Sequence, residues 1–191
     1  WVAPSSLEGD GQRNSGAVFR AGREVATGRG TLIHRWFEEI EWLDDGVPEE
    51  ARLRTLARQQ GYNQSLDKPL SQFFALLDGG PIADALQRSA YPTSEPKVYR
   101  ELQIDAPHGD DLVSGAIDRL IVSMKNGKPE AADIIDFKSD DITAAEVPAR
   151  IAHYRLQLMA YRSAVASMFR LPDSKITTRL AFTELNRLEH V

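Results

Sequence analysis

A short charged stretch near the middle of the chain could do metal or acid–base chemistry. Residues 131–141 read AADIIDFKSDD, so an apolar run ends in Asp136, Phe137 and Lys138. Side chains alternate along a strand, which places Asp136 and Lys138 on one face and Phe137 on the other. The stretch is either a strand that runs out into a surface loop with an ordinary ion pair, or one wall of a catalytic centre.

A second carboxylate occurs in the preceding strand-like segment, SGAIDRLIV at residues 114–122. Alternation groups Asp118 with Ala116 and Leu120, and sets Ile117, Arg119 and Ile121 on the opposite face. If the two segments pair as a hairpin, Asp118 can lie beside Asp136. Neighbouring carboxylates repel each other, so one takes up a proton unless a cation binds. Oxygen ligands of this kind suit magnesium or manganese.

The Asp-X-Lys pattern is a weak signal by itself. The chain has 15 aspartates and 6 lysines among 191 residues, so chance alone yields roughly half an occurrence. On these two segments alone, a solvated strand end with a surface ion pair is the commoner structure. Support for a catalytic centre must come from other parts of the chain.

A long helical pattern, ARIAHYRLQLMAYRSAV at residues 149–165, carries polar residues at helical spacing. The stripe that they form consists of Arg150, Tyr154, Gln157 and Tyr161, and the positions expected opposite are Ile151, Leu158 and Val165. A polar stripe is usually the solvent-facing side of an amphipathic helix. Two tyrosines and a glutamine are unusual choices for solubility alone, and Gln157 and Tyr161 can donate hydrogen bonds to a phosphate or orient a carboxylate.

The first helical pattern contains a histidine that could bind a metal ion. This helix is predicted to begin at Thr31, in an N-cap region after GRG. Its apolar face consists of Ile33, Phe37 and Ile40. His34 lies on another face, one turn before Glu38, and the two could share a metal. Such a pair is common, however, and a single histidine more often has a structural role.

The elements that would position these residues form an α+β or mixed α/β fold. After the first helix, the pattern predicts helices over 48–60, 70–78 and 81–90, strands over 97–105, 112–124 and 131–138, a helix over 143–169 and a strand over 176–183. Asn126-Gly127 between the second and third strands is typical of a hairpin. We expect a central mixed sheet of about four to five strands flanked by helices, as a single domain at 28–191 behind a linker or tail at 1–27.

The composition of the chain excludes several classes of site and partner. The chain has no cysteines, which excludes disulfides, thiolate metal sites and cysteine nucleophiles. It has no apolar run long enough for a membrane span and no visible signal peptide, so we expect a cytoplasmic protein without membrane partners. The net charge of −5 argues against binding nucleic acid by charge alone. The absence of an initial methionine suggests a piece of a longer protein.

Taken in order, these motifs resemble those of the PD-(D/E)XK nuclease superfamily, whose core fold is restriction-endonuclease-like. Within it they are most similar to the RecB-type nuclease domain of bacterial helicase–nucleases (the RecBCD and AddAB machines). GTLIHRWFEEI resembles the first-helix motif with His34, SGAIDRLIV the strand with Asp118, IIDFKSD the strand with Asp136 and Lys138, and YRLQLMAYRSAV the helix with Gln157 and Tyr161. The resemblance covers about residues 28–185.

The resemblance implies a role for each of these residues in hydrolysing DNA to leave 5′-phosphate ends. The implied ligands of a Mg²⁺ or Mn²⁺ ion are His34, Asp118, Asp136 and the backbone carbonyl of Phe137. Lys138 would orient or activate the attacking water, and Gln157 and Tyr161 would position the phosphate or the scissile strand. Glu101, in YRELQI, resembles a glutamate that often precedes the second strand. The Phe137 side chain, in place of the commoner tyrosine, should point away from the site.

The resemblance also implies partners and a cellular process. Some relatives hold an iron–sulfur cluster through four cysteines, and the lack of cysteine here implies no cluster and favours the helicase-linked branch. The expected protein is therefore an exonuclease V-like DNA nuclease in double-strand-break repair, with helicase motor domains in the same full-length polypeptide. The alternatives are an inactive nuclease fold that binds DNA ends or a helicase, and a generic α+β domain. The presence of His34, Asp118, Asp136 and Lys138 together argues against the inactive fold, and the ordered set of motifs argues against the generic domain.

Overall fold

A mixed β-sheet organises the chain in the computed structural model, which describes residues 28–92, 95–108 and 111–191. The strands are β1 (Glu95–His108), β2 (Asp111–Lys125), β3 (Lys128–Lys138), β4 (Ile176–Phe182) and β5 (Arg187–His190), in that spatial order. Neighbouring strands are antiparallel except for β3 and β4, which run parallel. The first three strands, which correspond to the three predicted between residues 97 and 138, form an antiparallel meander.

Helices cover both faces of this sheet. The helices are α1 (Gly28–Phe37), α2 (Glu50–Gln59), α3 (Asp67–Leu77), α4 (Pro81–Ala85) and α5 (Val147–Phe169). Ile135 and Phe137 pack into an apolar cluster with residues of α1 to α4. Ile134 and Leu180 pack into a second cluster with residues of α5. The α+β fold with a flanked mixed sheet is thus confirmed, and the alternation of β3 between two apolar layers agrees with the prediction.

The turn at Asn126 and Gly127 sets the register of the central hairpin. Both residues have left-handed backbones, with φ of 51° and 73°, which asparagine and glycine accept more readily than other residues. The turn joins β2 to β3 directly, and the ladder runs from there to the pair Arg119–Ile135. Each strand places an aspartate one position beyond that last pair.

The parallel neighbours β3 and β4 are joined by α5, because parallel strands need a long crossover connection. A short turn precedes this helix, in which the N–H and hydroxyl of Thr143 both donate to the Glu146 carboxylate, at 2.8 and 2.7 Å. The helix ends at Phe169, after which Arg170 adopts a left-handed φ of 55°. The predicted helix at 143–169 therefore consists of a hydrogen-bonded turn followed by α5.

Aromatic packing holds α1 against β3. The Phe37 ring stacks on the Phe137 ring at a centroid distance of 4.0 Å and an interplanar angle of 4°. Phe37 also meets Phe73 of α3 edge-on at 5.0 Å. The Trp36 indole, fully buried, donates to the Leu53 carbonyl at 3.0 Å. These contacts fix the position of α1 on the strand that carries Asp136 and Lys138.

Two helices differ from the prediction in their extent, and one strand was not predicted. The first helix begins at Gly28, so Thr31 lies inside α1 and is not an N-cap. The helix expected over 81–90 is the five-residue α4 followed by a separate 3-10 turn, Arg88–Ala90. Strand β5 was not predicted, because its four residues RLEH are too short and too polar to show a strand pattern.

Two further predictions concern the linker before the domain and the absence of membrane spans. Segment 1–27, predicted as a linker or tail, lies outside the described residues, so the division into linker and single domain stays a prediction. Within the part of the chain that the structure describes, no helix combines the length and apolar character needed to span a membrane.

Candidate functional site

The predicted site lies where β2 and β3 separate. Their ladder ends at Arg119–Ile135, while Phe137 and Lys138 pair instead with residues of β4. The Asp118 side chain enters the gap, where its Oδ2 accepts a hydrogen bond from the Phe137 N–H at 2.7 Å. We call this arrangement the β2–β3 fork. It is formed by Asp118, Asp136, Phe137 and Lys138.

The pairing of β2 with β1 is also irregular at Asp118. The β1–β2 ladder pairs Arg100 with Arg119 and Leu102 with Ile117, which leaves Glu101 and Asp118 facing each other between these two pairs. Glu101 has a φ of 50°, a conformation that costs a non-glycine residue roughly 1–2 kcal/mol. Backbone strain of this kind tends to occur at functional sites.

The strand irregularity corrects one prediction about side-chain direction. Ile117 was expected opposite Leu120, yet both lie in the apolar cluster beneath α5. Arg119 and Ile121 do face the layer of α1 to α4, as expected. Simple alternation therefore fails at Asp118, the residue whose side chain leaves the sheet face to enter the fork.

His34 of α1 faces this carboxylate. Its Nδ1 lies 3.5 Å from Asp118 Oδ2. Burial lowers the pKa of His34, but the Asp118 and Asp136 carboxylates outweigh that effect, and the net pKa is raised. Burial acts in the opposite sense on Asp118, and the charges of His34 and Lys138 together with the hydrogen bond from Phe137 lower its pKa overall. The imidazole and the carboxylate therefore form an ion pair at the entrance of the fork. Glu38, the possible metal partner of His34, is instead ion-paired with Arg35.

Asp136 is an almost fully buried acid whose negative charge is only partly offset by the nearby Lys138 ammonium. Its pKa is raised to about 6, mainly by burial and also by the Asp118 charge, against the lowering effect of Lys138. Lys138 Nζ lies 2.8 Å from Asp136 Oδ2. That buried oxygen nevertheless accepts no hydrogen bond, so the contact is an ion pair whose angles are poor for a hydrogen bond. Burial together with Asp118 and Glu38 also raises the pKa of Glu101, to about 7. Together with Glu101 and His34, the fork thus brings three carboxyl groups close to only two cationic side chains.

The α5 side of the fork holds Lys138 through a chain of hydrogen bonds. Lys138 Nζ donates to Gln157 Oε1 at 3.1 Å, and Gln157 Nε2 donates to the Tyr161 hydroxyl at 3.1 Å. That hydroxyl donates to the Ala116 carbonyl of β2 at 2.7 Å. Gln157 and Tyr161 are both buried. Their polar atoms therefore connect Lys138 to the strand that carries Asp118.

These contacts decide between the two interpretations of the α5 stripe. Tyr154, Gln157 and Tyr161 are buried against the sheet, so the stripe is not the solvent-facing side of the helix. Leu158 and Val165, expected on the opposite face, are buried with them. Positions four residues apart differ by only about 40° around a helix, so one broad buried face includes both sets.

Tyr154 belongs to the predicted stripe but was not among the predicted site residues, and the structure places it at Lys138. Its ring lies over the Lys138 ammonium, with Nζ 3.9 Å from the ring centroid. Its hydroxyl donates to Asp140 Oδ2 at 2.8 Å, in the loop that follows β3. The signal was present in the spacing, because Tyr154 lies one turn before Gln157 on the same stripe.

The donors at the fork are chemically suited to a hard divalent cation. In the residues that the structure describes, no three histidine, aspartate or glutamate side chains converge into a ready-made metal site. The buried Asp136 Oδ2 without a hydrogen bond, however, lies among groups whose repulsion a cation would relieve. Two carboxylates and a backbone carbonyl are oxygen ligands of the kind that suits Mg²⁺ or Mn²⁺, so these residues fit such an ion provided that the side chains close around it.

Comparison with known proteins adds an independent finding. A sequence model of the PD-(D/E)XK nuclease superfamily matches residues 12–190, and so includes α1, both strands of the fork and α5. The sheet and flanking helices described above agree with the restriction-endonuclease-like core of that superfamily. A search of curated proteins found no match.

Proposed function

The chain belongs to the PD-(D/E)XK nuclease superfamily, and from this membership we propose that it is a metal-dependent DNA nuclease that hydrolyses phosphodiester bonds. The observation that carries the proposal is the β2–β3 fork, in which Lys138 is held beside Asp136 and Asp118 occupies the gap between the strands. A solvated strand end would leave these side chains exposed, whereas Asp136 is 3% exposed and Lys138 contacts two buried side chains of α5.

The proposed ligands of the ion are His34, Asp118, Asp136 and the backbone carbonyl of Phe137. When bound, a magnesium or manganese ion lowers the pKa of a coordinated water and neutralises charge on phosphoryl oxygens. The raised pKa of Asp136 supports the assignment, because a buried carboxylate with too little positive charge nearby favours cation binding. The stacking of Phe137 on Phe37 also supports it, since this packing turns the phenyl ring away from the fork.

Lys138 is proposed to orient the attacking water and to stabilise the charge that develops on the phosphate. An ammonium fixed in advance beside the reacting groups does this at little reorganisation cost. The hydrogen bonds of Gln157 and Tyr161 support a role in fixing Lys138. Those bonds favour indirect positioning over the direct phosphate contact that the sequence suggested for the two residues.

The biological setting is proposed from the order of the motifs. The RecB-like arrangement of His34, Asp118, Asp136 and Lys138 with the α5 pair favours a nuclease domain of a bacterial helicase–nuclease that acts on broken DNA ends. In this setting the helicase motor lies in the same full-length polypeptide and feeds DNA to the fork. Cleavage by the exonuclease V-like domain would leave 5′-phosphate ends.

The decisive test compares wild type with Lys138→Ala on labelled linear single- and double-stranded DNA, with Mg²⁺ or with EDTA. We expect cleavage that requires the metal and falls about a hundredfold or more in the variant, as is typical when a preorganised charge is removed. Lys128→Ala is the matched control, because Lys128 lies on the same strand but is exposed at the hairpin end. Folded, metal-binding wild type that leaves both DNAs intact would instead indicate an inactive nuclease fold.

A further inference from the structure

Tyr154 contacts Lys138 and Asp140 with separate parts of its side chain. The ring face meets the Lys138 ammonium at 3.9 Å, and the hydroxyl at the far end of the ring donates to Asp140 at 2.8 Å. The residue is 3% exposed and comes from α5, while both partners belong to β3 and the loop after it. We propose that Tyr154 is a positioning residue that holds the Lys138 ammonium in the β2–β3 fork, an inference that rests on the nuclease function proposed above.

The geometry around Lys138 explains why an aromatic ring is needed there. A lysine ammonium is a compact charge on a flexible stem of four carbons, so its position is set by what surrounds it. Asp136 lies at 2.8 Å and the Gln157 amide oxygen at 3.1 Å. The ring of Tyr154 covers a further side, and a cation over an aromatic face is attracted by the ring quadrupole, most strongly when water is excluded. The Lys138 side chain is 13% exposed, so little water competes.

The hydroxyl explains how the ring keeps its orientation. Asp140 lies two residues beyond Lys138 and accepts the hydrogen bond from Tyr154. Arg150, one turn earlier on α5, lies 3.8 Å from the same carboxylate. The loop after β3 is thereby tied to α5 at the point where the ring meets the ammonium. Removal of the hydroxyl should loosen the loop, whereas removal of the ring should release the lysine.

A purely structural role for Tyr154 makes different predictions, since the residue also belongs to the apolar cluster under α5. Tyr154→Phe retains the ring and Tyr154→Leu removes it, so the pair separates the contact with Lys138 from the contact with Asp140. Tyr99→Leu is the packing control, because Tyr99 contacts the same cluster through Phe169, with ring centroids 5.7 Å apart.

The first measurement is the single-turnover rate of DNA cleavage at saturating enzyme, which isolates the chemical step from binding. We expect Tyr154→Phe to remain within about twofold of wild type and Tyr154→Leu to fall about tenfold. DNA affinity should stay unchanged in both variants, and Tyr99→Leu should cleave at the wild-type rate. Equal rates for the Phe and Leu variants would overturn the proposal.

The second measurement needs no nuclease activity, so it keeps this inference distinct from the proposed function. Brief acetylation with acetic anhydride, read by mass spectrometry, compares the reactivity of Lys138 with that of the exposed Lys128. We expect Lys138 to be protected in wild type and Tyr154→Phe and to react severalfold faster in Tyr154→Leu. Unchanged protection in folded Tyr154→Leu would refute the role of the ring even if the wild type cleaves DNA. If Tyr154→Leu does not fold, Tyr154→Met, which adapts better to an irregular core, takes its place.

Discussion

Arg100 and Arg119 face each other across β1 and β2, and both donate to the chain at the carboxyl end of α1. Arg100 Nη1 binds the Glu38 carbonyl at 2.6 Å and Arg119 Nη1 binds the Ile40 carbonyl at 2.7 Å. These carbonyls follow Phe37, the last residue of α1, so they lie outside the helical hydrogen-bond ladder and the guanidinium groups satisfy them. Because Arg119 follows Asp118 in sequence, the pair fixes the helix of His34 relative to the fork.

Replacement of Arg119 by methionine should destabilise the domain by about 2 kcal/mol. The carbonyls that it binds would lose charged donors. Burial of the guanidinium lowers the pKa of Arg119 to about 10, so the variant also avoids the cost of burying that charge, which offsets part of the loss. Urea unfolding measures the change. Arg100→Met is the control, since Arg100 is exposed and should cost under about 1 kcal/mol. Equal losses for the two variants would contradict this assignment.

Replacement of His34 by alanine should weaken metal binding more than it weakens the chemistry. If His34 is a ligand, the variant should need about tenfold or more Mg²⁺ for half-maximal cleavage and should recover activity as the concentration rises. A magnesium titration of cleavage rate tests this expectation. His190→Ala serves as control, because His190 is exposed on β5. A rate lowered equally at every magnesium concentration would argue that His34 is not a ligand.

Without metal, the domain should lose stability as the pH rises from about 5 to about 8. Burial raises the pKa of Asp136 to about 6 and that of Glu101 to about 7. A carboxyl with a raised folded pKa binds its proton more tightly when folded, so it destabilises the fold progressively as the pH rises from its unfolded pKa to its folded pKa. The raised pKa of His34 has the same sign, because its stabilising charge is lost as the pH rises. Asp118 acts oppositely, but only near and below its ordinary pKa of 3.8.

Thermal unfolding in EDTA across this range measures the effect, with Asp136→Asn as the matched variant. The amide mimics the protonated acid, so we expect a flatter profile and, near pH 8, a gain on the order of 1 kcal/mol. Added Mg²⁺ should raise wild-type stability more than it raises that of the variant. Wild-type stability that increases with pH in EDTA would show that the fork does not hold excess negative charge.

Replacement of Gly80 by alanine should destabilise the turn between α3 and α4. Gly80 has a φ of 98°, and an added Cβ would lie 2.6 Å from Asn186 Nδ2, the atom that donates to the Gly79 carbonyl. The backbone strain and the lost hydrogen bond should together cost about 2–3 kcal/mol. Gly61→Ala has strain without a clash, since its φ is 73° and the space is open, so about 1 kcal/mol is expected. Chemical unfolding would contradict the account if the two substitutions had equal cost.

Local patterns were enough to predict most of the fold. Strand alternation placed Phe137 away from Asp136 and Lys138, and the hairpin dipeptide Asn126-Gly127 joined the correct strands. These features depend on neighbours within a few residues, which periodicity reports directly. Strand β5 was not predicted, because its few polar residues form a strand through pairing with β4 and show no strand pattern of their own.

The orientation of α5 illustrates what periodicity leaves open. The stripe of Tyr154, Gln157 and Tyr161 was visible, but a stripe has the same spacing whether it faces water or the sheet. Packing against β2 and β3 turned it inward and so created the contacts to Lys138. The direction of a helical face is a property of the assembled layers.

The donors of the chain, their order and the strands and helices that carry them follow from the residues alone. The separation of β2 and β3 at Asp118 arises from the fold, because it depends on a hydrogen bond between residues 19 apart and on a left-handed Glu101 in a third strand. The burial of Asp136 also depends on the assembled layers of the fold. A carboxylate near a lysine is an ordinary surface pair in water, whereas the layers around Asp136 exclude solvent and make its charge costly without a cation.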